Sequence, residues 1–318
     1  MNGEPILKSA TAAAPAEANR SAAAEAPARS YAAAPTERKY DRLFHYAWLT
    51  VNGLLVLSIL FALYAAGWEF STRRYLKGFS DAIVPATAPA DEKVEAILRW
   101  MQNGPARLPY GPSALVPDRD PTDTLNYDAL LQVCGTATNA FINLAETGHL
   151  PVRRLLLLDQ NQATKHVVAE VLVDGRWILV DPAYRTVFRD PAGKTVTREE
   201  MQDPATFAAV AGPIPKFLPI YTFENTVHIR VGKMHLLGMP LRSILNRVLP
   251  GWEDSTTVTL LVERESFAAL VVGILLVFFF ALLRYSLRWF GEARLGIHAA
   301  KLRAKIYRAG VAFLDPTN

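Results

Sequence analysis

Residues 165–184 read KHVVAEVLVDGRWILVDPAY. Two runs of β-favouring residues flank Asp174-Gly175, a pair that signals a two-residue hairpin turn. With those residues as the loop, Val173 pairs with Arg176 and the register runs back along both strands. Leu172 then faces Trp177, Glu170 faces Leu179, Val168 faces Asp181 and His166 faces Ala183. Opposed residues share a sheet face. One face collects Val167, Ala169, Val171 and Val173 with Ile178 and Val180, and is core. The other holds His166 and Asp181 as diagonal neighbours, roughly 7–8 Å apart at the backbone and within reach of an imidazole and a carboxylate. The register alone places an acid beside a histidine.

Upstream, residues 132–139 read QVCGTATN and contain Cys134, the one cysteine of 318 residues. Ala137, Ala140, Phe141 and Leu144 fall at helical spacing after it, and Gly148 is a C-cap signal. Cys134 therefore opens a helix, and Gly135 lets other groups approach the backbone. A helix N-terminus carries partial positive charge and free N–H groups. Both favour a thiolate, the reactive form of cysteine. A small buried apolar residue is the plain alternative for a lone Cys. Earlier still, DEKVEAILRWMQNG from Asp91 has a helical face of Val94, Ile97, Leu98 and Met101, with Asp91 as N-cap and Gly104 near the end. A loop rich in Pro, Gly and Asp, 103–124, separates the two helices.

A helix-borne thiol, a strand His and an Asp on the paired strand make up a nucleophile, a base and an orienter. His166 takes the thiol proton; Asp181 holds the ring and stabilises its charge. Read singly, His166 is a satisfied histidine and Asp181 is turn chemistry before Pro182. Their spacing weakens both of those readings.

The strings CGTATNAFINLAETGHLPVR, KHVVAEV and GRWILVDPAY, in that order, resemble the transglutaminase-like superfamily. There the Cys helix ends in a Gly-Ile-Pro-Ala-Arg-like phrase; here the phrase runs from Gly148 through Leu150 and Pro151 to Arg153. The family His begins a His-Ala-Trp-x-Glu-Val strand; here His166 to Val171 keeps the pattern but lacks the aromatic. The family Asp ends a Trp-x-x-Val-Asp-Pro strand, matched from Trp177 to Pro182. The resemblance covers about 90 to 185. It implies Cys134, His166 and Asp181 as a catalytic triad. It also implies an α+β, papain-like domain with a helix-borne Cys packed on an antiparallel sheet. An oxyanion donor is needed as well. The Cys134 backbone N–H is one; for the second, Gln132, Asn126 and Tyr127 stay open, with Gln132 the leading candidate.

The rest of the chain says where such a domain sits. Hydrophobic residues make up 51%, mean hydropathy is +0.12 and net charge is +4. The apolar excess is local. Tyr46–Trp68 and Phe267–Leu283 carry no charged residue, and roughly 20 such residues cross a bilayer as a helix. Arg284, Tyr285 and Trp289 suit the interface of the second. A core helix rarely stays uncharged this long. A cleaved signal peptide lacks so long a segment ahead of its apolar run. Arg284, Arg288, Arg294, Lys301, Arg303, Lys305 and Arg308 place the C-terminus in the cytoplasm, joined there by Arg29, Arg38, Lys39 and Arg42. Arg73, Arg74 and Lys77 oppose that bias. The expected order is a disordered cytoplasmic tail (1–43), a span (46–68), an extracytoplasmic domain (69–265), a second span (267–285) and a basic cytoplasmic tail (286–318) with an amphipathic helix over 289–309.

Between the hairpin and the second span, a Gly-bearing turn and a helix follow residue 186. KMHLLGMPLRSILNRVLPGW lies on the membrane surface or packs as a core helix. His228 and His235 read as structural. No spacing of His and Cys suggests a metal, no calcium site is recognisable, no cofactor is expected, and no basic–aromatic block suggests nucleic acid.

The expected protein is a double-pass bacterial inner-membrane enzyme with a periplasmic transglutaminase-like domain. It acts as a cysteine peptidase, amidase or acyltransferase through a thioester on Cys134. Its expected partners are a protein or peptide substrate, membrane lipid and envelope-assembly proteins. The alternatives are a non-catalytic envelope scaffold using the same domain, and a chain facing the opposite way.

Overall fold

A computed structural model describes residues 35–103, 125, 133–229 and 238–295. The chain divides at Tyr46/Ala47 into two compact units, and the contacts below fall within residues 47–318. Helix α1 spans Pro35–Ile83, so it begins inside the 1–43 stretch read as disordered tail. It is followed by α2 (Ala90–Gln102) and α3 (Cys134–Thr147). Strands β1 (Val152–Leu158), β2 (Thr164–Val173), β3 (Arg176–Asp181) and β4 (Thr186–Val187) come next. Then come α4 (Pro204–Ala211), β5 (Thr226–Val227), α5 (Gly238–Val248), α6 (Thr256–Glu263) and α7 (Glu265–Arg294). The architecture is mixed α+β, with an antiparallel five-stranded sheet in the order β4-β3-β2-β1-β5.

The hairpin has the expected register. Val173 pairs with Arg176, Leu172 with Trp177, and Glu170 with Leu179. Asp174 and Gly175 have φ of 48° and 78°, as a type I′ turn requires. A Cβ on Gly175 would meet nothing within 4 Å, so substitution there costs only backbone strain. We expect Gly175→Ala to destabilise by about 1 kcal/mol, read as a lower apparent melting temperature in detergent with the thiol chemistry unchanged.

Both faces of the sheet are buried. On the first, Ala169, Val171, Val173, Ile178 and Val180 pack against α3 through Ala137, Ala140, Phe141 and Leu144, and against α2 through Val94, Ile97, Leu98 and Met101. On the second, Leu155, Leu157, Val168 and Leu179 pack under Phe188, Met201, Val210, Tyr221 and Phe223. That cover comes from the segment after residue 186, so the domain extends well past the hairpin.

One helix end differs from the sequence reading, and the expected C-cap of α3 holds. The N-cap of α2 is Pro89; Asp91 lies in the first turn, where it still complements the helix dipole. Gly104 lies outside the described residues. Gly148 caps α3 with φ of −77°, and the left-handed residue is His149 at 63°. Gly148 is needed for closeness instead: a Cβ there would sit 3.2 Å from the Leu144 carbonyl oxygen and 3.3 Å from Ser80 Oγ.

Two helical segments are long and apolar enough to cross a membrane, Arg42–Ile83 of α1 and all of α7. Leu57, Leu63, Phe278 and Leu282 on them are exposed; the core helix of a soluble protein would bury them. A Cβ on Gly273 would lie 3.0 Å from Ala62 Cα, so the two backbones meet there as small residues allow. The Arg284 guanidinium lies over the Trp48 ring at 5.6 Å, and Ser266 Oγ donates to Glu69 Oε2 at 2.7 Å. These three pairs run antiparallel along the helices. Beyond Glu69, α1 continues without a break: Leu76 is in the domain core, and Phe79 and Ile83 pack on it. Helix α5 leaves Ile244 and Val248 exposed, as is Leu249 just after it, unlike a core helix. The proposed tail helix over 289–309 is described only to Leu295, within and just past α7.

Candidate active site

Cys134 is the first residue of α3, preceded by extended Val133 (φ −136°, ψ 157°), which has no side-chain oxygen to cap the helix. The first-turn N–H groups of any α-helix lack intrahelical acceptors. The sulfur therefore sits at the positive end of the helix dipole, which favours a thiolate. Cys134 is partly exposed. Among the described residues a Cβ on Gly135 would meet nothing within 4 Å. No described group approaches Gly135 there, although the sequence suggested that one could.

One turn along α3, Thr138 Oγ1 donates to the Val167 carbonyl at 3.1 Å. Val167 follows His166, so this bond ties the helix start to the strand that carries the imidazole. Strand β2 pairs with β1 as far as Thr164, through a bulge beside Leu157–Leu158. Its ladder with β3 ends at Ala169–Val180. His166 therefore stands where β2 has outrun β3, at a gap in the sheet. There a ring on the second face can reach a thiol from the helix on the first.

His166 and Asp181 are both fully buried, and His166 Nε2 lies 2.7 Å from Asp181 Oδ2. The other carboxylate oxygen, Oδ1, accepts from the backbone N–H of Ala183 at 3.0 Å and of Tyr184 at 3.1 Å. The turn after Pro182 thus fixes the carboxylate, and the carboxylate fixes the ring. Tyr221 stacks on the imidazole at 4.3 Å and 11°, while Tyr184 and Phe217 meet it edge-on. Burial by itself would lower the His166 pKa. The Asp181 charge and hydrogen bond, and then the Cys134 side chain, outweigh it and raise the ring from 6.5 to about 9. The Nδ1 atom is buried, and no hydrogen bond to it closes among the described residues. Cys134 lies close enough for its side chain to act on the ring, by hydrogen bonding and by charge.

The three residues picked from the sequence are thus brought together. Gln132, Asn126 and Tyr127 lie outside the described residues, as does His235. His228 is buried away from the thiol: its Nε2 lies 2.7 Å from Glu170 Oε2 and its Nδ1 2.6 Å from Asp254 Oδ1. Arg153 Nε donates to the same Glu170 oxygen at 2.6 Å and its guanidinium covers Trp177 at 4.1 Å. Burial pushes the Glu170 carboxyl up, but the hydrogen bonds and charges of His228 and Arg153 hold it below the ordinary carboxylate range. Sequence reasoning missed Thr138, Tyr221 and Phe217. Thr138 stood in the matched Cys string, and Tyr184 in the matched Asp-Pro-Ala-Tyr turn, but neither was singled out. Among the described residues no three His, Cys, Asp or Glu side chains gather as a metal cluster.

No protein-family model matches the sequence, and neither a curated protein nor a solved structure gives a match.

Proposed function

We propose that the chain is a membrane-anchored, transglutaminase-like cysteine enzyme that works through a thioester on Cys134. The observation that supports this reading is the Cys134–His166–Asp181 line, a helix-start thiol acting on a buried imidazole that a buried carboxylate holds. His166 takes the thiol proton through Nδ1. The thiolate attacks an amide carbonyl, and the tetrahedral oxyanion is met by N–H groups of the α3 first turn. The C–N bond breaks, the leaving amine takes the proton from the imidazolium, and a thioester remains. Water then attacks, giving its proton to His166; a carboxylic acid leaves and the thiol returns. With an amine in place of water, the product is a new amide. Water competes everywhere, so hydrolysis is the favoured outcome.

The site of action is the periplasmic face of a bacterial inner membrane, with both tails cytoplasmic. The basic residues after α7 and the antiparallel pairing of α1 with α7 support that orientation. The test is full-length protein in detergent with denatured casein as acyl donor and a fluorescent primary amine as acceptor. We expect peptide cleavage, or amine incorporation into casein, that Cys134→Ala abolishes. A reactive thiol with neither product, on casein and on a panel of peptide and glutamine amides, would leave the scaffold reading in its place.

A further inference from the structure

The catalytic helix has a second buried face, and it is polar. Asn139 and Asn143 of α3 are both fully buried. Asn139 Nδ2 donates to the Glu263 carbonyl oxygen at 2.5 Å and to Glu263 Oε2 at 3.1 Å. Asn143 Nδ2 donates to the same Glu263 carbonyl at 3.3 Å. The next residue is Arg264, which links α6 to α7 and is 1% exposed. Its Nε donates to Asn143 Oδ1 at 2.8 Å, its Nη1 to Glu69 Oε1 at 3.1 Å and its Nη2 to Glu146 Oε2 at 2.7 Å. Ser266 holds the other Glu69 oxygen. Arg154 pairs with Glu263, and Arg73 reaches Glu146 from the exposed side.

One guanidinium therefore joins three helices. Glu69 is the first charged residue after the apolar run of α1, and Arg264 stands just ahead of the apolar run of α7. Asn143 and Glu146 belong to the helix whose first residue is Cys134. From Asn143 to Cys134 is nine residues of continuous helix, about 14 Å at 1.5 Å per residue. An ion-pair network so far from water is a poor source of stability, because desolvation offsets most of the Coulombic gain. Its three diverging bonds do something apolar packing does not: they set the axial rotation and height of α3.

We infer that Arg264, with Glu69, Asn143 and Glu146, is a positioning residue that aims Cys134 at His166 by fixing the catalytic helix to the two membrane-length helices. This rests on the catalytic reading above and makes α1 and α7 part of the machinery. The isolated domain, cut at Glu69 and Arg264, loses the clamp.

The experiment uses the full chain in detergent and follows iodoacetamide alkylation of Cys134 against pH. Arg264→Lys keeps the charge but not the planar fork. We expect its inflection to rise by about one pH unit, so that alkylation below the inflection slows about tenfold. A residue that serves stability alone would lower the melting temperature and the folded fraction, and leave the inflection of folded protein where it was; that result overturns the inference. If Arg264→Lys does not fold, Glu69→Gln serves. It removes one charge on the membrane side and still accepts from Ser266. A smaller rise in the inflection supports the clamp and an unmoved one overturns it. A wild-type thiol with no lowered inflection, or one indifferent to His166→Ala, defeats the catalytic reading itself and this inference with it, a result distinct from failure of Arg264→Lys alone.

Discussion

Replacing His166 by Ala should return Cys134 to the titration of an ordinary thiol. A free thiol has a pKa of about 8.5. On the proposed catalytic reading, the imidazole takes the proton in the wild type, and thiolate should be detectable below that pH. The variant has only the helix dipole, so alkylation at neutral pH should fall about tenfold or more. Acyl transfer should fall further, by about 10²–10⁴-fold, because the same ring delivers the proton to the leaving amine. The pH dependence of stability supplies a second measurement. The folded pKa of His166 is raised from 6.5 to about 9. A raised pKa contributes stability that is full below the unfolded value and is lost as pH rises through the folded one. Wild-type protein should therefore lose melting temperature between about pH 6.5 and 9, and the His166→Ala chain should lack that loss. The variant also leaves a buried Asp181 oxygen without its partner, so it should be less stable than wild type at neutral pH. Identical alkylation profiles for the two chains would mean that the thiol and the ring do not form a pair.

Where the governing physics is local, the sequence was readable. Asp174 and Gly175 set the turn, the turn set the register, and the register put His166 and Asp181 on one face; each step needs only neighbours along the chain. The apolar stripes of α2 and α3 and the two uncharged runs are local in the same sense. The second core was hidden because its cover has no period. Phe188, Phe217, Tyr221 and Phe223 lie on short bridges and loops, and β5 returns to pair beside β1 at Leu156 and Leu157. The buried polar face of α3 was hidden for another reason. Asn139 and Asn143 carry no sequence mark of burial; their partners Glu263 and Arg264 lie more than a hundred residues on, at the flank of a membrane-length run. Long-range polar pairing leaves no periodic trace. Neither does the ring stack on His166, since nothing near Tyr221 marks it as a neighbour of the site.

Asp181→Asn should abolish turnover while leaving the fold in place, and the reason lies in which oxygen does what. Asp181 Oδ1 accepts two backbone N–H groups, from Ala183 and Tyr184, and Oδ2 faces His166 Nε2. With a carboxylate there, the neutral ring keeps its proton on Nε2 and offers the Nδ1 lone pair to the thiol. An amide has one oxygen and one NH₂ group. The two backbone donors claim the oxygen, so the NH₂ group must face Nε2. Nε2 then has to be the acceptor, and the ring proton moves to Nδ1, where it confronts the thiol and blocks its deprotonation. The charge that most strongly raises the His166 pKa is also gone. We expect turnover to fall on the order of 10³–10⁴-fold, the scale seen when a triad carboxylate is exchanged for its amide. The alkylation inflection should move up toward that of the His166→Ala chain. The melting temperature should drop less than in that chain, since no cavity opens and every backbone donor keeps its acceptor. Full activity in Asp181→Asn would show that the carboxylate only shapes the turn and that His166 needs no partner. An inactive chain whose Cys134 still titrates low would place the defect after thioester formation, in the delivery of water, and would remove Asp181 from the activation of the thiol.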